Sequence, residues 1–308
     1  MISSASSIGS DWFLNGIATL QKAQIKTQQQ LTSGYKVNDA SDAPAETASL
    51  VDLGSSLAAN QTYQSNLGRV QAETSAADQA IASAITLLDS ARSLAAQGAN
   101  SVTTATDRQA IAVQVQSIQQ QIVSAANTSV EGRFIFGGAQ DQSAPYTYDS
   151  ASATGADKLT AQAGARVIVD PNGLTVYQSR TASTIFDHAG PTGAPAADNV
   201  FAALQSLVNA LQSNNQSGVA ASDDSLQQAA AWLNQQQAAY GNDGNRITSE
   251  QNNVAARITS LRTGIAGIRD ADITQAATDL AQESTAQSAA FGVESRISQQ
   301  KSLFDYLG

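Results

Sequence analysis

The stretch AQSAAFGVESRISQQKSLFDYL, residues 286–307, decides the fold. Small or apolar side chains fall at Ala286, Ala290, Val293, Ile297, Phe304 and Leu307 in alternating steps of four and three, and only Gln300 interrupts them. On an α-helix this spacing draws one narrow line, the seam of a coiled coil rather than the broad stripe of a core helix. The other end of the chain mirrors it. Phe13, Ile17, Leu20 and Leu31 keep the same spacing, with Gln24 and Thr27 at the intervening seam positions. Neither line is wide enough to build a core alone. The two ends are therefore expected to pair with each other or with further copies, and these apolar residues are the candidate assembly interface.

Further in, the heptads continue. Ala77, Ile81, Ala84, Leu88, Ala91 and Ala95 form one seam, and Ile111, Val115, Ile118, Ile122 and Ala125 form a more strongly apolar one. Between them lies GANSVTTATDRQ (98–109), where Thr106 and Gln109 have capping-box spacing. This predicts one helix stopping near Gly98 and another starting after Thr106. The longest seam runs from Leu226 through Leu233, Tyr240, Ile247, Val254 and Leu261 to Ile268 without a slip. As one helix it would measure roughly 65 Å. Gly241 and Gly244 interrupt it, each costing about 1 kcal/mol against Ala, but the register is intact on both sides, which predicts a continuous helix. Ser222-Asp223-Asp224 is the expected N-terminal cap. A shorter helix is expected at Val200, Leu204, Leu207 and Leu211.

The middle has a different period. Arg166-Val-Ile-Val-Asp-Pro-Asn-Gly-Leu-Thr-Val-Tyr177 is two β-rich runs joined by a turn, which predicts a hairpin. Phe134-Ile-Phe136 and Tyr146-Thr-Tyr148 are further strand candidates, and Gly, Ser, Pro and Thr mark loops between them. The expected fold is mainly α: long antiparallel coiled-coil helices from both chain ends with a small β-rich insert. The expected domains are 1–45 with 270–308 (terminal coiled coil), 46–136 with 198–269 (helical core) and 137–197 (β-rich insert).

Composition excludes several functions. No stretch approaches the roughly 20 apolar residues that span a bilayer, so membrane insertion is not expected. The absence of Cys removes disulfides, thiolate metal sites and cysteine nucleophiles. A net charge of -10 opposes binding to nucleic-acid phosphates. MISSASSIGSDWFLNG has no Lys or Arg and no apolar run, which predicts no Sec-type signal peptide. The single His, His188, sits in a loop sequence and reads as solvated. The carboxylate pairs Asp223/Asp224 and Asp270/Asp272 read as a cap and a turn or helix start. No nucleotide, hydrolase or metalloprotease motif is present. The chain is expected to be no enzyme and to need no cofactor or metal.

Four segments resemble the bacterial flagellin family. Leu31-Thr-Ser-Gly-Tyr-Lys-Val-Asn-Asp-Ala-Ser-Asp-Ala-Pro-Ala45 is similar to the family's L-S-S-G…N-x-x-x-D-D-x-A segment, departing at Ala43, where a second Asp usually stands. Arg92-Ser-Leu-Ala-Ala-Gln-Gly-Ala-Asn100 resembles the R-x-L-A-x-Q-x-A-N run that closes the first long helix. Tyr240-Gly-Asn-Asp-Gly-Asn-Arg246 resembles the L-G-A-x-x-N-R run of the last one, and Asp270-Ala-Asp-Ile…Leu280-Ala-Gln the D-A-D start of the terminal helix. Within the family, Ala126–Gly138, Asp42-Ala-Pro-Ala45 and the ending Ser302-Leu-Phe-Asp-Tyr-Leu307 look more like the branch at the hook–filament junction.

The resemblance implies a structural subunit that polymerises through its ends. The terminal helices would line an inner tube, the inner helices would form the next shell, and the insert would project outward. Expected partners are copies of the chain or other flagellin-family subunits in a helical assembly, adjacent hook or filament proteins, and a flagellar export chaperone. Export by the flagellar type III apparatus would place the protein in the extracellular flagellum. Two other readings stand beside the junction subunit: a flagellin forming the filament itself, and a cytosolic coiled-coil scaffold.

Overall fold

A computed structural model of the chain describes residues 3–160 and 164–299, with side chains described for 11–160 and 164–296. Phe304, Leu307 and Gln300 of the C-terminal seam lie outside the described residues, as does the Ile297 side chain. Helices dominate: α1 (Ser3–Ser33), α2 (Pro44–Gly98), α3 (Ala105–Ala126), a single turn α4 (Ala182–Ile185), α5 (Val200–Gln212), α6 (Gln216–Arg269) and α7 (Ile273–Gln299). Three antiparallel strand pairs lie between α3 and α5: β1 (Ser129–Val130) with β2 (Arg133–Phe134), β3 (Tyr146–Tyr148) with β4 (Ala156–Lys158), and β5 (Val167–Val169) with β6 (Thr175–Gln178). The fold is mainly α with small two-stranded sheets in the middle, as the change of period from heptad to alternation implied.

The chain divides into two compact units. One takes the residues up to Ala59 and from Arg257 onward; the other is Asn60–Ala256. In the first, α1 and α7 pack together. At the end of α1, Gly34 adopts a φ of +76° and its N–H returns to Gln30 O at 2.8 Å, a left-handed helix cap that a side chain would strain. The chain that follows pairs with the end of α6: Lys36 N–H donates to Arg269 O at 2.6 Å and Ala271 N–H to Gly34 O at 2.9 Å. The Arg269 guanidinium lies 3.9 Å from the Tyr35 ring centre. Two of the segments that carry the family resemblance, around Leu31–Ala45 and Asp270, thus meet backbone to backbone. Asp42 closes the loop into α2, accepting the N–H groups of Asn38 and Asp39 at 3.0 Å each and lying 3.1 Å from Lys26. Those backbone donors, then the lysine, lower its pKa to about 2.

In the second unit the predicted seams are the core. Ile81, Ala84, Leu88 and Ala91 of α2, Val115 and Ile122 of α3, and Leu226 and Leu233 of α6 are fully buried. The aromatic residues of the middle segment join them rather than standing apart: Phe136 packs edge-on against Phe186 at 5.6 Å and Tyr240 at 6.3 Å, and Tyr146 tilts on Phe201 at 5.1 Å. Such ring pairs add to the area they bury.

Two predicted caps move. The box at the start of α3 is Thr104/Asp107, not Thr106/Gln109, because Thr104 is the residue with extended backbone and its side chain and that of Asp107 reciprocate. The helix α6 starts at Gln216, with Asn215 Oδ1 accepting the Gly218 N–H at 3.0 Å. Ser222 is already inside that helix, bonded to Gly218 O, and Asp223 is spent on Arg92 at 3.0 Å. At α7 the cap is as read: Asp272 Oδ1 accepts the N–H groups of Thr274 and Gln275.

Candidate assembly interface

Along α1 the line of low exposure is Phe13, Ile17, Leu20, Gln24, Thr27 and Leu31, the seam read from sequence, with Ile17 and Thr27 buried. On α7 the line runs beside the one read from sequence and shares Ala290 with it. Its least exposed positions are Ala276, Leu280, Glu283, Gln287, Ala290 and Glu294. Glu283 accepts the Thr27 hydroxyl at 3.2 Å, so this is the side turned to α1. Ala290 belongs to it, whereas Ala286 and Val293 are exposed.

The paired ends therefore hold an arrangement unusual for a free soluble helix pair. Polar Glu283, Gln287 and Glu294 lie on the inner side of α7, while Phe291 (51% exposed) and Val293 (54%), which flank that line, are left in water. On α1, Trp12 is 83% exposed, and Leu14 and Ile25 are exposed too. Large apolar groups are thus left in water while half-polar lines are covered.

The other segments flagged in the sequence take structural posts in the second unit. Arg92 bridges to Asp223. Asn100 O and Gly98 O accept from the buried guanidinium of Arg108, at 3.0 and 2.8 Å, which closes the C-terminus of α2. Tyr240 lies beneath Arg180, whose guanidinium also reaches Asp243 at 2.6 Å. His188 is not merely solvated. Its ring stacks on Trp232 at 4.5 Å and 5°, with Nδ1 2.8 Å from Asp198, while the Trp232 N–H donates to Ile185 O. Among the described residues no group of His, Asp and Glu could hold a metal ion, and no helix is long and apolar enough to cross a membrane.

Residues 11–141 match the bacterial flagellin N-terminal helical region and residues 224–307 the bacterial flagellin C-terminal helical region. The chain belongs to the bacterial flagellin family. Members of this family are structural proteins of the flagellum rather than enzymes. The flagellar hook-associated protein 3 of Escherichia coli is 24% identical over 254 residues, which is 81% of this chain and 78% of that protein. The protein of the same name from Salmonella typhimurium is 22% identical over the same shares. Among solved structures, a putative flagellar hook-associated protein from Vibrio parahaemolyticus superposes with a TM-score of 0.62 at 22% identity, over 74% of this chain and all of that one. The FlgL protein of Bacillus cereus gives 0.55 at 18% identity, over 70% and 98%.

Proposed function

We propose that this flagellin-family chain is the subunit at the hook–filament junction, and that it enters the flagellum through the outward face of its terminal helix pair. The observation that carries the reading is the inverted α7: Phe291 and Val293 lie in water while Glu283 is turned toward α1. Burying such apolar area between subunits stabilises the polymer by about 25 cal/mol per Å², repeated at each contact. The junction is favoured over the filament because both curated relatives named above are hook-associated proteins. In this reading the segments 1–45 and 270–308 form the inner tube, the helices of 46–136 and 198–269 the next shell, and 137–197 the outer part. An export chaperone covers the apolar face before assembly, and the type III apparatus carries the chain outside the cell.

Gold-labelled antibody against this chain, viewed by electron microscopy on intact flagella, tests the reading. Label confined to the boundary between hook and filament is the expected result. Label along the whole filament would make the chain a filament flagellin instead, and label inside the cell alone would leave the scaffold.

A further inference from the structure

The β5–β6 hairpin and α2 enclose a pocket of about 320 Å³ whose lining includes Arg69, Arg133 and Arg166. Arg166 gives both terminal nitrogens to Glu73, at 3.1 and 2.8 Å, and lies 3.4 Å from Asp141; Arg133 lies 2.6 Å from the same Asp141. Two of the three guanidinium groups thus share two carboxylates, Glu73 and Asp141. Arg69 bonds Asn66 Oδ1 at 2.7 Å and no carboxylate among the described residues. Arg166 Nε is buried and has no hydrogen-bond partner in the described residues. Beside the pocket the hairpin exposes Val167, Val169 and Leu174, the last by 67%. In a chain of net charge -10 this is a local reversal of sign, rimmed by apolar surface.

The complementary charge lies on the same unit. Asp89 and Asp223 flank one cation, Arg92, 3.0 Å from Asp223 and 4.0 Å from Asp89, and Asp224 follows Asp223 on α6. Asp224 is exposed, with no basic partner among the described residues. Arg69 and Asp89 both belong to α2. At 1.5 Å and roughly 100° per residue, they lie roughly 30 Å apart along the helix and on nearly opposite sides of it.

We propose that the acidic cluster around Asp224 of one copy docks into the arginine pocket of a second copy, with Leu174 and Val167 packing at the rim. The inference rests on the reading of the chain as a flagellar subunit. Because the two patches are different surfaces on opposite sides, the contact is heterologous. Each copy keeps one free patch of each kind, so the contact propagates into a ring or helix instead of closing as a dimer. Between chains that repel through their net charge, the paired patches set which faces meet.

The test uses the full chain in cells that lack their own copy, with Leu174 replaced by photoreactive benzoylphenylalanine. Irradiated flagella should yield a covalent dimer of this chain, with the linked peptide near Asp89 or Asp224. Arg69→Glu should lower the dimer yield at least tenfold, and adding Asp224→Arg should restore it. Thermal melting should stay unchanged, since neither residue has a buried partner. An unchanged yield with Arg69→Glu, failed rescue, or cross-links only to another protein would overturn the proposal. So would a missing dimer when the chain is present in the flagellar fraction. Absence of the chain from that fraction is a different result: it removes the flagellar reading, and this proposal with it.

Discussion

Thr27 of α1 gives its hydroxyl to Glu283 of α7 at 3.2 Å, across the seam that joins the two ends of the chain. The hydroxyl also lies 3.1 Å from Ala23 O, and the other oxygen of Glu283 is buried with no partner among the described residues. A polar rung of this kind fixes register at some cost in strength. It keeps the ends aligned and only loosely held.

Glu283→Leu should therefore tighten the pair. Removing a half-desolvated carboxylate with one unbonded oxygen is expected to stabilise α1 against α7 by about 1 kcal/mol. Hydrogen exchange on the monomer should show slower exchange across both helices. Faster exchange would mean that the rung holds the ends together.

Seam and outer face should separate by mutation. Phe291→Asp is expected to abolish incorporation into flagella while leaving the helicity of the monomer unchanged, because the side chain is half in water already. Ile17→Asp places a carboxylate in the buried seam and should lower monomer helicity as well. Circular dichroism with a sedimentation assay of assembly distinguishes the two. Equal loss of helicity in both variants would place Phe291 in the intramolecular packing.

Gly155→Ala should destabilise the second unit by about 2–4 kcal/mol. Gly155 has a φ of +72°, and an added Cβ would stand 1.8 Å from Gln119 Nε2. That amide ties α3 to α5, donating to Gln205 Oε1 and Thr154 O at 3.1 Å each. A urea midpoint within error of the parent chain would sink the prediction.

Alkaline unfolding should begin only well above pH 10. Burial, then the charge of Glu73, pushes the Tyr177 hydroxyl up to about 12, and burial raises Tyr240 as well. Raised values favour the neutral phenols in the folded state. Their contribution is fully present below the unfolded value near 10 and is lost as pH rises through the folded values. Absorbance titration should show Tyr177 ionising with or after unfolding. Tyr177→Phe should remove part of the sensitivity.

Much of the fold was legible because the core of the second unit is periodic: every apolar seam residue from Ala77 to Ala95 is buried, and the α6 register passes through both glycines. The N-terminal seam was legible for the same reason. On α7 two neighbouring lines share Ala290, the apolar one read from sequence and one rich in Glu and Gln, and the side chains of Ile297, Phe304 and Leu307 lie outside the described residues. Hydrophobicity favours the first, while pairing with Thr27 and α1 selects the second. The caps moved because Thr104 and Thr106 are alike in composition and differ only in backbone angle. The arginine pocket was out of reach: Arg69, Arg133 and Arg166 are far apart in sequence and on different elements, and only the tertiary fold gathers them.

Gly241 and Gly244 of α6 carry a last consequence. A side chain at Gly241 would meet nothing within 4 Å, and one at Gly244 would touch two atoms at 3.9 Å, so neither glycine is required by close packing. What they leave is a soft joint in a rod, since unwinding there forfeits less helix propensity than elsewhere. The hairpin braces that joint from the side: Arg180 on Asp243, and Arg246 Nη2 on Thr175 O at 2.6 Å. In the proposed role at the meeting of hook and filament, these two contacts then act as a splint, setting how readily α6 bends at its glycine pair.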